Sequence, residues 1–128
     1  MSAPKRILCV EDNPDICELI AAILTDYEVI SAPGENEAWN KYSSDEYALA
    51  VLDYHLVDGN GIDLCKRIRR HETELPIVFI TSDPDITEAM VKEAGGQMLV
   101  EKSSPTFIDD VLEAVEELLG IEPQIVTT

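Results

Sequence analysis

The sequence predicts an α/β fold: a doubly wound, five-stranded parallel sheet carrying helices on both faces. Three observations predict it. Short apolar runs, suited to strands covered on both sides, alternate five times with segments of helical period. The connections between them are short and regular, as right-handed βαβ crossovers require. And 128 residues are enough chain to bury one core but not two.

Each element has its own signal. "RILCV" opens the sheet as a buried strand. "NPDICELIAAILTD" then changes period, placing Ile16, Leu19, Ile20 and Ile23 at i, i+3, i+4, i+7 of one helix face. Asn13 can cap that helix and Pro14 takes its first position. "EVISA" is a second strand, and "ENEAWNKYSS" a helix with Ala38 and Tyr42 on one side. "ALAVL" reads as the most buried strand, and "GIDLCKRIRRH" as a helix stacking Ile62, Cys65 and Ile68. "PIVFI" tolerates Pro76 at its first residue. "DITEAMVKEA" is a helix stopped by Gly95-Gly96, and "QMLV" the last strand. "PTFIDDVLEAVEELLG" closes the set, with Ile108, Val111, Leu112, Val115, Leu118 and Leu119 on one face and Ser104-Pro105 as cap and first position. The domain is expected over residues 1–121, with 122–128 a tail or linker stub.

Composition narrows the function. Twenty-six acids against nine bases give a net charge of −17, which opposes binding to nucleic acid or anionic lipid. The basic stretch Lys66, Arg67, Arg69, Arg70 is too small to reverse this, and His71 beside it suits a surface helix end. No apolar run approaches the roughly 20 residues that span a bilayer, and nothing resembles a signal peptide. Cys9, Cys17 and Cys65 have no CxxC spacing and read as small buried hydrophobes in a reducing cytoplasm. Trp39 reads as half-buried packing.

In an open α/β sheet, ligands bind beyond the carboxyl ends of the strands, where the strand order reverses. The first strand delivers Glu11-Asp12 there, the third Asp53, the fourth Thr81-Ser82 and the fifth Lys102. With a flavodoxin-like order of 2-1-3-4-5, Glu11, Asp12 and Asp53 converge. Three carboxylates that close cannot all ionise unaided: either one keeps a proton or a cation resolves the conflict. Mg²⁺ suits such oxygen ligands. Lys102 and the Thr81 hydroxyl complete a place to stabilise a phosphoryl group in transit, with Asp53 as its nucleophile.

These motifs resemble a response-regulator receiver domain of two-component signalling, along residues 5 to 119: "VEDNPD", "DYHLVDGNG", "FITSD" and "LVEK", in order. The resemblance implies that Asp53 is the phosphoacceptor, Asp12 a direct Mg²⁺ ligand and Glu11 an acid holding the ion through water. It further implies a ligand position for the His55 backbone carbonyl, a switch hydroxyl at Thr81, and Lys102 on a phosphoryl oxygen. The implied donor is a sensor histidine kinase or a histidine phosphotransfer protein. The implied output is a protein partner on the face of the fourth helix, fifth strand and fifth helix.

Three positions depart from the family's pattern. Val57 stands where Pro is frequent, Leu99 at the switch aromatic, and Ser103 where the lysine is commonly followed by Pro. They leave the phosphorylation chemistry intact but loosen the expected coupling to Thr81. One alternative is therefore a scaffold that binds partners whether or not it is phosphorylated. Another is an aspartyl-phosphate phosphohydrolase, but those enzymes carry a second Asp two residues on, where His55 stands here. His55 reads as an edge of the pocket. P-loop chemistry is excluded, since the sequence holds no GxxxxGK[ST].

Overall fold

The computed structural model describes residues 5–120. The expected tail at 122–128 lies outside them. Five strands, β1 (Lys5–Val10), β2 (Tyr27–Ala32), β3 (Leu49–Asp53), β6 (Ile77–Thr81) and β7 (Met98–Glu101), form one parallel sheet in the order β2-β1-β3-β6-β7. That is the expected 2-1-3-4-5 arrangement. Five helices wind around it: α1 (Pro14–Ile23), α2 (Glu35–Ser44), α3 (Gly61–Arg69), α4 (Glu88–Ala94) and α5 (Phe107–Leu119).

The apolar runs serve both faces, because successive strand residues point to opposite sides. Leu8, Val10, Leu52 and Phe79 pack on the side that buries Ala38, Leu64, Cys65, Ile68 and Val91. Ile7, Cys9, Val51 and Ile80 pack on the other, with Ile20, Val111 and Val115. Every residue of β3 and β6 is buried, which is why their sequences show no alternation.

Several local expectations hold. The Asn13 side chain accepts from the Asp15 N–H at 2.9 Å, with Pro14 opening α1. Gly95 ends α4 in the left-handed region, at φ 107°. Others need correction. Leu19 is 50% exposed, because the inward stripe of α1 runs through Cys17, Ile20 and the capping Leu24, leaving Leu19 on the far flank. Helix α4 starts at Glu88 rather than Asp85, since the Thr87 hydroxyl takes the Met90 N–H and caps it there. Helix α5 starts at Phe107, with Thr106 rather than Ser104 at its N-cap position. The Ser104 hydroxyl accepts from the Thr106 N–H at 3.2 Å, a local turn that keeps Pro105 outside the helix.

A short antiparallel hairpin, β4 (His55–Leu56) with β5 (Gly59–Asn60), was not legible as strands. It carries two anchors. Asn60 caps α3 by accepting from the Asp63 N–H at 2.8 Å. Asp58 accepts from the Glu35 and Asn36 N–H groups at 2.6 and 3.0 Å, capping α2 from a neighbouring loop. These bonds to the amides of Asn36 and then Glu35 hold the Asp58 carboxyl below its ordinary value. Gly61 then turns the chain into α3 so tightly that a Cβ there would clash with the Asp53 carbonyl oxygen. The hairpin thus begins and ends against Asp53.

Candidate functional site

The adjacency of β1 and β3 does what the sequence requires of it. β3 ends in Asp53, Glu11 and Asp12 follow β1 at the same edge of the sheet, and one carboxylate oxygen from each of the three lies within 4.8 Å of the others. Glu11 and Asp53 are buried, at 3% and 2% exposure, while Asp12 is exposed at the rim. Thr81 ends β6, next along the sheet, and is buried too. Lys102 follows β7, held by its N–H donating to the Thr81 carbonyl at 2.9 Å.

Lys102 answers the charge conflict. Its Nζ donates to Asp53 Oδ2 at 2.9 Å and to both Glu11 carboxylate oxygens at 3.3 Å. Burial alone would lower its pKa; the hydrogen bond and charge of Asp53, with those of Glu11, raise it instead. The ammonium is therefore a fixed cation. One lysine does not fully balance two buried acids. Burial, then the hydrogen bond and charge of Asp53, push the Glu11 carboxyl up to about 8, against the opposing pull of Lys102. The pocket thus retains a proton near neutrality, or exchanges it for a second cation.

The donor set fits a small hard dication. Three carboxylates converge, all ligands are oxygen, and the rim acid Asp12 is open to solvent, leaving room for waters. The His55 backbone borders the same space, its N–H directed to Asp53 Oδ1 at 3.4 Å. The His55 ring turns outward, with Nε2 2.8 Å from Asp83 Oδ2. The ring is exposed at the edge of the pocket.

Sequence reasoning missed Asp83. Its N–H donates to Thr81 Oγ1 at 3.0 Å, and its carboxylate accepts from the Asp85 N–H at 2.9 Å. Those contacts, the Asp85 bond foremost and His55 next, hold its carboxyl below the ordinary value. The only sequence signal was a short polar residue in the turn "SDPD" after a strand. Beyond Thr81, a small cavity of about 90 Å³ is lined by Asp83, Ile86, Leu99 and Ser103 among others.

A (βα)₅ sheet with an acid cluster and a lysine at its switch point defines the class of receiver domains. The chain belongs to the response regulator receiver domain family, whose pattern matches residues 7–116. It is 32% identical over 116 residues to the regulatory protein VanRB of Enterococcus faecalis, covering 89% of this chain and 52% of that protein. It is 30% identical over 115 residues to the alkaline phosphatase synthesis transcriptional regulatory protein PhoP of Bacillus subtilis, covering 87% and 48%. The chain thus spans about half the length of these relatives. Among solved structures, the response regulator TrrA of Thermotoga maritima, in complex with Mg²⁺-BeF, matches with a TM-score of 0.79 and 31% identity. The match covers 90% of this chain and 99% of that one. A CheY-like receiver domain protein from Methanospirillum hungatei matches at 0.83 and 26%, covering 92% and 95%. Among the described residues, no helix is long and apolar enough to cross a membrane.

Proposed function

We propose that this chain accepts a phosphoryl group onto Asp53 from a histidine kinase or a histidine phosphotransfer protein, and that this changes its affinity for a protein partner. The observation that carries the reading is the Lys102 ammonium 2.9 Å from Asp53 Oδ2, inside a cluster of three carboxylates. An Asp53 oxygen attacks the phosphorus of a phosphohistidine, the P–N bond breaks, and an acyl phosphate forms. Lys102 is already placed to follow the incoming charge from the carboxylate to a phosphoryl oxygen. Burial excludes water from the nucleophile and strengthens both contacts. Thr81, buried beside them, offers its hydroxyl once the phosphoryl group arrives.

Glu11, Asp12, Asp53 and the His55 carbonyl would hold Mg²⁺, which when bound neutralises the charge gathered at the phosphoryl oxygens. The domain would catalyse only this transfer and the slow hydrolysis of its own acyl phosphate. It would bind neither nucleic acid nor membrane. A cytoplasmic location is supported by the cysteines, three in number and without CxxC spacing. The downstream partner would dock on α4, β7 and α5, where Met90 is 38% exposed and a groove of about 360 Å³ runs beside Met98, Leu99 and Ala114.

The decisive experiment is intact mass with acetyl phosphate and Mg²⁺. The protein should gain one phosphoryl group and Asp53→Asn none; a persisting gain in the variant overturns the assignment. Leu99 favours a second reading, a phosphorylation-independent scaffold. Partner affinity that does not change with phosphorylation would establish it.

A further inference from the structure

The loop between β1 and α1, which carries Glu11 and Asp12, is flanked by a cysteine in each element. Cys9 lies in β1 and Cys17 in the second turn of α1, and their Sγ atoms are 3.4 Å apart. The same Cys17 Sγ lies 3.9 Å from the Cys9 and Glu11 carbonyl oxygens, so it sits directly beneath the acid loop. Both thiols are free. Forming a bond requires the 3.4 Å separation to close to roughly 2.05 Å, a movement within the reach of side-chain rotation and a slight shift of α1. Cys9 is wholly buried, while Cys17 keeps 6% exposure and offers the route in for a small oxidant. Cys65 has no such neighbour: its thiol is buried on the other face of the sheet and donates to the Ala94 carbonyl.

We propose that Cys9 and Cys17 form a dithiol site that hydrogen peroxide converts to an intrachain disulfide, clamping the loop that bears Glu11 and Asp12. Cys17 sulfur attacks one peroxide oxygen, the O–O bond breaks, and sulfenic acid and water form. Cys9 sulfur then displaces the hydroxyl from Cys17, its proton leaving with that hydroxyl as a second water. Two thiol hydrogens and two electrons pass to the peroxide in all. The clamp ties β1 to α1 across the acid pair, and the assignment stands independently of whether Asp53 accepts phosphate.

Peroxide treatment of the native full chain, then denaturation and alkylation, tests this. Trypsin leaves Cys9 and Cys17 together in residues 7–41, since no Lys or Arg falls between Arg6 and Lys41. Untreated protein should take three alkyl groups, and oxidised protein one, on Cys65. Dithiothreitol should restore the other two. Cys17→Ser should retain both of its alkyl groups after peroxide, whereas Cys65→Ala should still lose the pair in residues 7–41. Should Cys17→Ser not fold, Cys65→Ala and the peptide map decide alone. Three alkyl groups after peroxide, or stable over-oxidation of Cys17 in place of the link, overturn the site. Amide exchange in residues 11–16 should slow at least severalfold on oxidation; unchanged exchange overturns the clamp.

Discussion

Two pockets lie side by side at the carboxyl end of the sheet, and they are built on opposite terms. Beneath β1 and β3, every contact is a named polar atom: one ammonium, two buried carboxylates and a third at the rim, with separations of 2.9 to 3.3 Å about Lys102. Beneath β6 and β7, the space past Thr81 is closed by Ile86, Pro84 and the half-buried Leu99, around a cavity of about 90 Å³. The first pocket holds the acids and lysine that the resemblance implies, and the second has Leu99 where the resemblance implies an aromatic. Charge chemistry in a low-dielectric site has few solutions, because an unpaired buried ion costs several kcal/mol. Apolar packing has many, since residues of similar volume exchange for about 1.5 kcal/mol or less. On the proposed function, acceptance and readout are therefore free to change separately, and they can be broken separately.

Lys102→Met is the largest lever on the polar pocket. It leaves Glu11 and Asp53 buried without their ammonium, a loss of about 3 kcal/mol or more. Phosphorylation by acetyl phosphate should slow by roughly 100-fold or more, the scale of losing one preorganised partner of developing charge. Mg²⁺ should raise the melting temperature of the variant more than that of the wild type, because it supplies the missing cation. Equal shifts would mean that Lys102 and the metal do not share the same carboxylates.

How far each pocket was legible in the sequence follows from the same contrast. Glu11, Asp12, Asp53, Thr81 and Lys102 each follow or end an apolar run, so finding the strands found the cluster. Convergence then needed only a flavodoxin-like strand order, which sets the first and third strands side by side at the switch point. What escaped reading depends on contacts between loops. The hairpin at 55–60 holds only two residue pairs and has no periodicity to detect. Asp58 caps α2 from more than twenty residues away, and Asp83 gains meaning only through Thr81 and His55. Leu19 misled because its spacing fits the stripe of α1, and only the position of Cys17 against β1 shows where that stripe faces.

The second lever is pH. Burial and Asp53 push the Glu11 carboxyl from 4.5 up to about 8, so the folded protein binds that proton more tightly than the unfolded chain. A raised acid stabilises below its unfolded value and loses that contribution as pH rises through the folded one. Metal-free protein should therefore lose stability between pH 4.5 and about 8 from this group. Mg²⁺ must displace the proton, so its affinity should climb with pH, by at most roughly tenfold per unit, and level off above about 8. Calorimetric titration in several buffers measures both the affinity and the proton released. Glu11→Gln should flatten the profile. A wild-type affinity that does not vary from pH 6 to 8 would place the metal away from Glu11.

Thr81→Ala probes the boundary between the pockets. Its hydroxyl accepts from the Asp83 N–H at 3.0 Å, and removing it should cost about 1 kcal/mol in chemical denaturation. The yield of phosphorylated protein should stay within a fewfold of wild type, because Lys102 and the acids are untouched. Spectral changes on adding beryllofluoride and Mg²⁺ should instead contract to the acid pocket and vanish from α4 and β7. Changes persisting there would mean that the signal crosses without the Thr81 hydroxyl.

Leu99→Phe carries the smallest expected effect and the sharpest meaning. The side chain is half-buried on β7 and lines the 90 Å³ cavity together with Thr81 and Ile86, so an aromatic ring has adjacent space to enter. Overpacking should therefore cost about 1 kcal/mol, the low end of its usual range. Neither Mg²⁺ affinity nor the extent of phosphorylation should move, since no polar atom of the acid pocket is displaced. On the proposed role of Thr81, readout should move, because a ring at this position has the cavity to turn into when that hydroxyl meets a phosphoryl group. Nuclear magnetic resonance of the variant, with and without beryllofluoride, should show larger changes in β7 and α4 than in wild type. If the two proteins respond alike, Leu99 is not what limits coupling, and the aliphatic pocket transmits the signal without a rotating ring.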